Sequence, residues 1–296
     1  VSVVATLAFS AALVSAASWA VGTILFRRIG EQASPLGMNL GKDLIGLPLL
    51  GIALLAVGVD PVDARSVGLL LLSGLVGIAV GDTLFFMALM RLDPRVTLVL
   101  AVVGQVFTVL GAVVLLGERP EPIVWVGIAL VLAGVALVLR EQNDLDSPKS
   151  RQRRRGGILL GLGAASCFAA AALLAKLGVE TTSALQGTTI RLTGGVAGLL
   201  LLGTLRGQTR AWLRPFRDPS LLRSIVIAEF VIIFGGFWLG LFALKHLDVS
   251  VATILTSTEP LFVLPLAAWM LQERITRRGL VGAAVAVAGV GLIILA

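Results

Sequence analysis

Residues 88–139 of this chain occur twice. Ala88-Leu89-Met90-Arg91-Leu92-Asp93 returns as Ala243-Leu244-Lys245-His246-Leu247-Asp248, and the two copies then run without a gap to Leu139 and Ile294, always 155 positions apart. Of the 52 aligned pairs 18 are identical, among them Phe107/Phe262, Glu118/Glu273, Arg119/Arg274, Gly127/Gly282 and Gly134/Gly289. Apolar composition alone matches Leu with Val often. It does not keep Leu-Asp, Glu-Arg and two glycines in one register, so the pattern reads as an internal duplication, and both copies must fold alike.

Composition decides what is duplicated. The chain is 57% hydrophobic and 14% charged, with a mean hydropathy of +0.99, whereas a soluble domain carries roughly 25% charged residues. Its apolar stretches are continuous and about 20 residues long, the length an α-helix needs to cross ~30 Å of hydrocarbon. Strands of a membrane barrel would alternate apolar and polar residues instead. Ten spans are expected: 6–27, 35–58, 66–90, 95–116, 121–140, 156–176, 183–205, 220–244, 248–271 and 277–296. The first lacks a basic start and is followed by nine more, so it reads as a span rather than a cleaved signal.

The beginnings of the two halves match as well. Ala16-Ala17-Ser18 through Gly30 lies over Ala164-Ala165-Ser166 through Gly178 at an offset of 148, and Ser34 and Lys42 lie over Ser183 and Arg191 at 149. The chain therefore divides into a first five-helix repeat (1–140), a hydrophilic linker (141–155) and a second five-helix repeat (156–296). Five is an odd number of crossings, so the second copy enters the membrane from the opposite side. The expected fold is an all-α integral membrane protein of ten transmembrane helices, built as two inverted five-helix repeats with a natural site between them near the midplane. The segment 206–219, with Trp212 and several arginines, reads as an interfacial connection.

Basic residues orient this arrangement. Connections after odd-numbered helices carry 18 of the 24 Lys and Arg, those after even-numbered helices carry four, and Lys42 and Arg191 lie within spans. The positive-inside rule then places the 141–155 linker in the cytoplasm and both termini outside. The net charge of +7 is thus a membrane signature and calls for no nucleic acid.

At this point the residues resemble a known family. Gly117-Glu118-Arg119 and Gln272-Glu273-Arg274 close the fourth helix of each repeat, Pro260 interrupts the second copy where Gln105 stands in the first, and Ser18-Trp19-Ala20 with Thr23 marks an aromatic, small-residue first helix. These features, over two five-helix repeats, resemble the EamA-type ten-helix transporters of the drug/metabolite transporter superfamily. The resemblance implies a transporter, with export of amino acids or related metabolites as the expected activity. Gln272 in place of Gly and Gln105 in place of Pro depart from the family pattern.

Ionisable groups inside spans are expensive and are the first functional candidates. Glu259 lies about ten residues, ~15 Å, into its helix, after Thr256-Ser257-Thr258 and before Pro260, whose missing N–H loosens the backbone there. Two readings of it stand: a solute or proton site, or a structural carboxylate capped by those hydroxyls or paired with Arg191. Asp82, between Gly81 and Thr83, and Glu229 are cavity candidates in the same sense, with an ion pair to a base of the second helix as the alternative for Asp82 and internal pairing as the alternative for Glu229. Lys42 and Arg191 read as structural partners or as receivers of an anionic solute group; adjacent Lys42 and Asp43 point in different directions on a helix. Gln105 takes the place of Pro260, and Trp19 and Trp238 sit deep enough to line a pocket or simply to pack. Glu118 and Glu273 read as structural locks at the membrane edge.

No catalytic residue, metal site or cofactor is expected: one His (His246), one Cys (Cys167) and no HExxH pattern leave an intramembrane hydrolase without its chemistry. The expected partners are the lipid bilayer, a small-molecule solute and protons as coupling ion. The sequence is read as a bacterial inner-membrane secondary transporter that exports a small organic metabolite, such as an amino acid, by alternating access. The alternative is proton-coupled efflux of cationic or aromatic drugs.

Overall fold

The computed structural model describes residues 3–92, 94–119, 121–141, 148–256, 258, 259, 262, 263, 266, 269, 281, 282, 284, 285, 288, 289 and 292. Among these the first repeat supplies α1 (Val3–Ile29), α2 (Pro35–Val57), α3 (Ala64–Leu89), α4 (94–116) and α5 (Pro122–Glu141). The second supplies α6 (Pro148–Gly178), α7 (Ala184–Leu205), α8 (Pro219–His246) and α9 (Val249–Thr256). Six of them, α1, α2, α3, α6, α7 and α8, are long and apolar enough to cross a membrane, and 100–116 of α4 is a shorter apolar helix. No strand occurs among the described residues.

Local chemistry explains the helix starts. Ser34 and Ser183 hold extended backbone and accept from Gly37 N at 3.1 Å and Gln186 N at 3.2 Å, capping α2 and α7. Asp63 caps α3 through Ser66 N at 2.9 Å and accepts from Thr181 Oγ1 at 2.7 Å. Those donors, Thr181 first, hold its carboxyl well below the usual carboxylate range. The linker departs from the expected loop at its basic end: Arg151–Arg155 form the first turns of α6, and 142–147 lie outside the described residues.

The packing has the form of an exchange between the halves. α1 and α2 lie against α8 of the other repeat, and α6 and α7 lie against α3. The contacts repeat pair by pair. A Cβ on Gly22 would strike Ile232, and one on Gly77 would strike Ala171; one on Gly236 meets Trp19, and one on Gly81 meets Phe168. These pairs interchange when α1 is matched to α6 at 149 positions and α3 to α8 at 155. The offset of 148 expected from the Ala-Ala-Ser match is therefore corrected by one residue. Identity among small residues is a weak guide to register when helix packing is what sets it.

Two tethers follow the same symmetry. The Arg27 guanidinium donates to the carbonyls of Leu89 and Leu92, and Lys176 Nζ donates to those of Leu244 at 2.9 Å and Leu247 at 2.7 Å. In each repeat a cation ending the first helix caps the C-terminus of the third. Outward faces are apolar: Leu55 is 86% and Leu205 78% exposed, which suits hydrocarbon rather than water.

α3 and α8 share an irregularity. Leu75–Asp82 and Val231–Trp238 are π-helical, at nearly equivalent places of the two repeats, and Ala112–Leu116 closes α4 in the same way. Such wide turns cluster at functional sites because they turn side chains off the regular helical face. Those of α3 and α8 lie beside the space between the halves.

Candidate functional site

A cavity of about 210 Å³ opens between the repeats, walled by α1, α3 and α4 of the first and by α6, α7, α8 and α9 of the second. Its polar wall comprises Ser15, Asp82, Gln105, Thr108, Arg191, Thr253, Thr256 and Glu259. Trp19, Phe85, Phe168 and Phe237 supply the aromatic wall. Trp19 and Phe237 meet edge-to-face with ring centroids 5.0 Å apart, and Phe85 and Phe168 lie 6.2 Å apart. Apolar flanks with a few convergent polar groups are the usual form of a small-molecule site.

The small residues around the cavity are there because helices come close. A Cβ on Gly74 would fall 1.7 Å from the Arg191 carbonyl oxygen, so only glycine lets α3 meet α7 at that level. That approach brings Arg191 beside the π segment of α3. Its Nε donates to Ser73 Oγ at 3.0 Å, Ser73 in turn donates to the Ala171 carbonyl at 2.7 Å, and the guanidinium faces Asp82 electrostatically.

Behind the cavity wall lies a buried ionic cluster. Lys42 Nζ stands 2.5 Å from Asp43 Oδ1 and 2.9 Å from Asp82 Oδ2. The same ammonium lies 5.3 Å from the centre of the Phe237 ring. Glu229 of α8 completes the cluster; it is fully buried, with Gly46 leaving the space its carboxylate occupies. Asn39 supports the same region by donating to the Ile78 carbonyl at 2.8 Å and to Thr83 Oγ1 at 3.0 Å.

The structure brings together Glu259, Thr256, Asp82, Gln105 and Trp19 on one cavity, and puts Arg191 among them. Glu229 and Lys42 stand one layer back. Trp238 does not line the cavity; it packs edge-on against Phe234, with centroids 6.2 Å apart. Ser257 and Glu273 lie outside the described residues. Two expectations are corrected. Lys42 and Asp43, expected to diverge as sequence neighbours, form an ion pair, because the four-carbon lysine arm bends back across the ~100° between adjacent positions. The ion pair of Asp82 with the second helix does form, but fully buried and not near the interface.

Glu259 meets neither of its expected structural partners among the described residues. Arg191 is engaged by Ser73 and faces Asp82. The Thr256 hydroxyl donates to the Thr253 carbonyl at 2.9 Å and the Thr258 hydroxyl to that of Leu255 at 2.7 Å, so both serve their own backbone. Glu118 is a lock of a different kind from the one expected. Gly117, at φ +71°, ends α4 in the left-handed conformation. Glu118 then accepts from Val249 N at 3.0 Å, Ser250 N at 3.3 Å and the Ser250 hydroxyl. It thereby caps α9 of the other repeat, one side of the cavity's frame. The phenylalanines of the wall were not expected, since no pattern separates a cavity-facing Phe from a lipid-facing one in a uniformly apolar helix.

Comparison with known proteins agrees with this layout. The profile of the EamA-like transporter family matches residues 6–140 and 155–295, one match per repeat. A crystal structure described only as that of a protein superposes with a TM-score of 0.72 over 98% of this chain and 97% of its own, at 19% identity, which speaks for the fold alone. No curated protein matches the chain.

Proposed function

This chain belongs to the EamA-like transporter family, and we propose that it exports a small organic zwitterion, an amino acid or close relative, through the cavity between its repeats. A multi-pass membrane transporter of the drug/metabolite transporter superfamily is the premise; solute, direction and mechanism are the proposal. The observation that carries it is the cavity wall, which offers the cationic Arg191 together with the acidic Asp82 and Glu259 on aromatic flanks. A solute carboxylate finds its counter-ion in Arg191, a solute ammonium in Glu259 or Asp82, and an apolar side chain in Trp19, Phe85 and Phe168. Alternating access follows from the inverted repeats, each half exposing the shared cavity to one side in turn. The bacterial inner membrane, with the 141–155 linker in the cytoplasm, is the proposed location, from the distribution of basic residues.

A second reading has its own support. Two carboxylates and one guanidinium face the cavity, an acidic excess that suits an aromatic cation. Proton-coupled efflux of cationic or aromatic drugs is therefore the competing proposal.

A thermal-shift screen of the purified protein separates the two, since a ligand bound by the folded state raises its melting temperature. Stabilisation by amino acids, and not by quaternary ammonium or aromatic cations, supports the first reading; the reverse supports the second. Counterflow in proteoliposomes then tests carriage. Uptake of labelled solute stimulated by the same solute on the trans side is expected, and its absence at saturating solute sinks the alternating-access reading.

A further inference from the structure

The cluster behind the cavity contains more acids than bases. Lys42 and Asp43 come from α2, Asp82 from α3, Arg191 from α7 and Glu229 from α8: three carboxylates against two cations. Fully ionised, the five would carry a net charge of −1, and three of them, Lys42, Asp43 and Glu229, have no exposure at all. An uncompensated charge there is far more expensive than a neutral acid.

The geometry says which acid is left over. Lys42 is taken by Asp43 and Asp82, at 2.5 and 2.9 Å. Glu229 has no ion pair and no hydrogen bond to either carboxylate oxygen among the described residues, and its side chain has no exposure. Its surroundings offer nothing further. Gly46 of α2 is its close neighbour: a Cβ there would fall 2.4 Å from Glu229 Oε1 and 3.2 Å from Leu192 of α7. α1 carries no ionisable residue from Val3 to Phe26. Arg217 and Asp218 lie about three turns before it and Arg214 about four, all ahead of α8, and Arg223 on its own helix is exposed. Glu259 lies on the cavity wall contributed by the α9 segment.

We propose that Glu229 is the proton-binding site of this transporter, and that the charge on Asp82 decides whether the proton stays. Asp82 is the acid that belongs both to the cluster and to the cavity wall. While Asp82 is ionised it holds Lys42, and Glu229 keeps its proton. When a solute cation neutralises Asp82, Lys42 is free to serve Glu229, whose O–H bond then breaks and whose proton passes to water. With a singly charged cation as solute, one positive charge enters the cluster and one leaves. This linkage rests on the proposed solute cavity, but the proton site itself does not.

Infrared difference spectroscopy of the reconstituted protein, titrated in H₂O and D₂O without any solute, tests the proton site directly. The expected result is a band of a protonated buried carboxyl that shifts when the protein is labelled with ¹³C-glutamate. It persists in Glu259→Gln and is absent in Glu229→Gln. It also disappears in Asp82→Asn, where two acids balance two bases and Glu229 ionises. A band that ignores ¹³C-glutamate, that is lost in Glu259→Gln, or that survives in Asp82→Asn overturns the proposal. Should Glu229→Gln not fold, the labelled Glu259→Gln protein decides: a glutamate band retained there supports the site, and its loss overturns it. A solute cavity that fails the thermal-shift screen leaves this result standing, so the two proposals fail separately.

Discussion

At the scale of single residues, the carboxylates of this protein divide into two sets by what opposes them. Asp43 and Asp82 share one lysine, whereas Glu259 lies on the cavity with its neighbouring threonines turned to their own backbone. Glu259→Gln keeps the shape and fixes the neutral state. Folded protein is expected, with net transport in proteoliposomes reduced at least about tenfold, the scale of losing one charged contact worth ~1.4 kcal/mol. Glu259→Asp keeps part of the activity. An unchanged rate in Glu259→Gln would remove it from the site. Lys42→Met has the opposite signature. It leaves Asp43 and Asp82 buried without their cation, so a loss of about 3–5 kcal/mol is expected in thermal unfolding before any transport is measured. A normal melting temperature would mean that the acids find another counter-ion. Each of these residues was visible in the sequence as an ionisable group in an apolar span. Of their grouping only the pair of Asp82 with the second helix was legible. Lys42 and Arg191 occupy equivalent repeat positions, yet one is sealed between carboxylates and the other faces the cavity, because Asp82 has Phe237 as its counterpart in the second repeat.

At the scale of helices, the sequence located α1 to α5, α7 and α8 well because a bilayer demands long uninterrupted apolar stretches: these begin and end within a few residues of the expected spans, and α9 begins where expected, while most of 257–296 lies outside the described residues. The exception is the start of α6, where a basic run that reads as linker continues the helix; arginine is a good helix former, and charge alone does not break one. The π segments of α3 and α8 were invisible, since no residue pattern marks them. Nor did the Gly-Glu-Arg motif disclose that its glutamate reaches across to the other repeat. Glu118→Ala removes three hydrogen bonds from the first turn of α9. The expected loss is about 1–2 kcal/mol, read as a lower melting temperature, while Glu118→Asp, one carbon shorter, restores little. Stability unaltered in Glu118→Ala would mean that water caps α9 equally well.

At the scale of the molecule, the 18-to-4 distribution of basic residues makes orientation testable. With Cys167→Ala as background, a cysteine at position 150 should resist an impermeant maleimide in intact cells and react in inverted vesicles. Ready labelling from outside would reverse the orientation and leave the repeat architecture untouched. The crossed packing of the halves has a further consequence. Because α1 and α2 are completed by α8, and α6 and α7 by α3, each half is folded largely on the other's surface. The chain packs as a swapped dimer would, with both halves in one polypeptide. Made separately, residues 1–141 and 148–296 should each be degraded or aggregate. Made together in one cell, they should find each other, co-purify and recover transport, because the partnership is written in the helix faces and not in the peptide bond that joins them. A half that accumulates alone as a stable monomer would show that its own helices suffice.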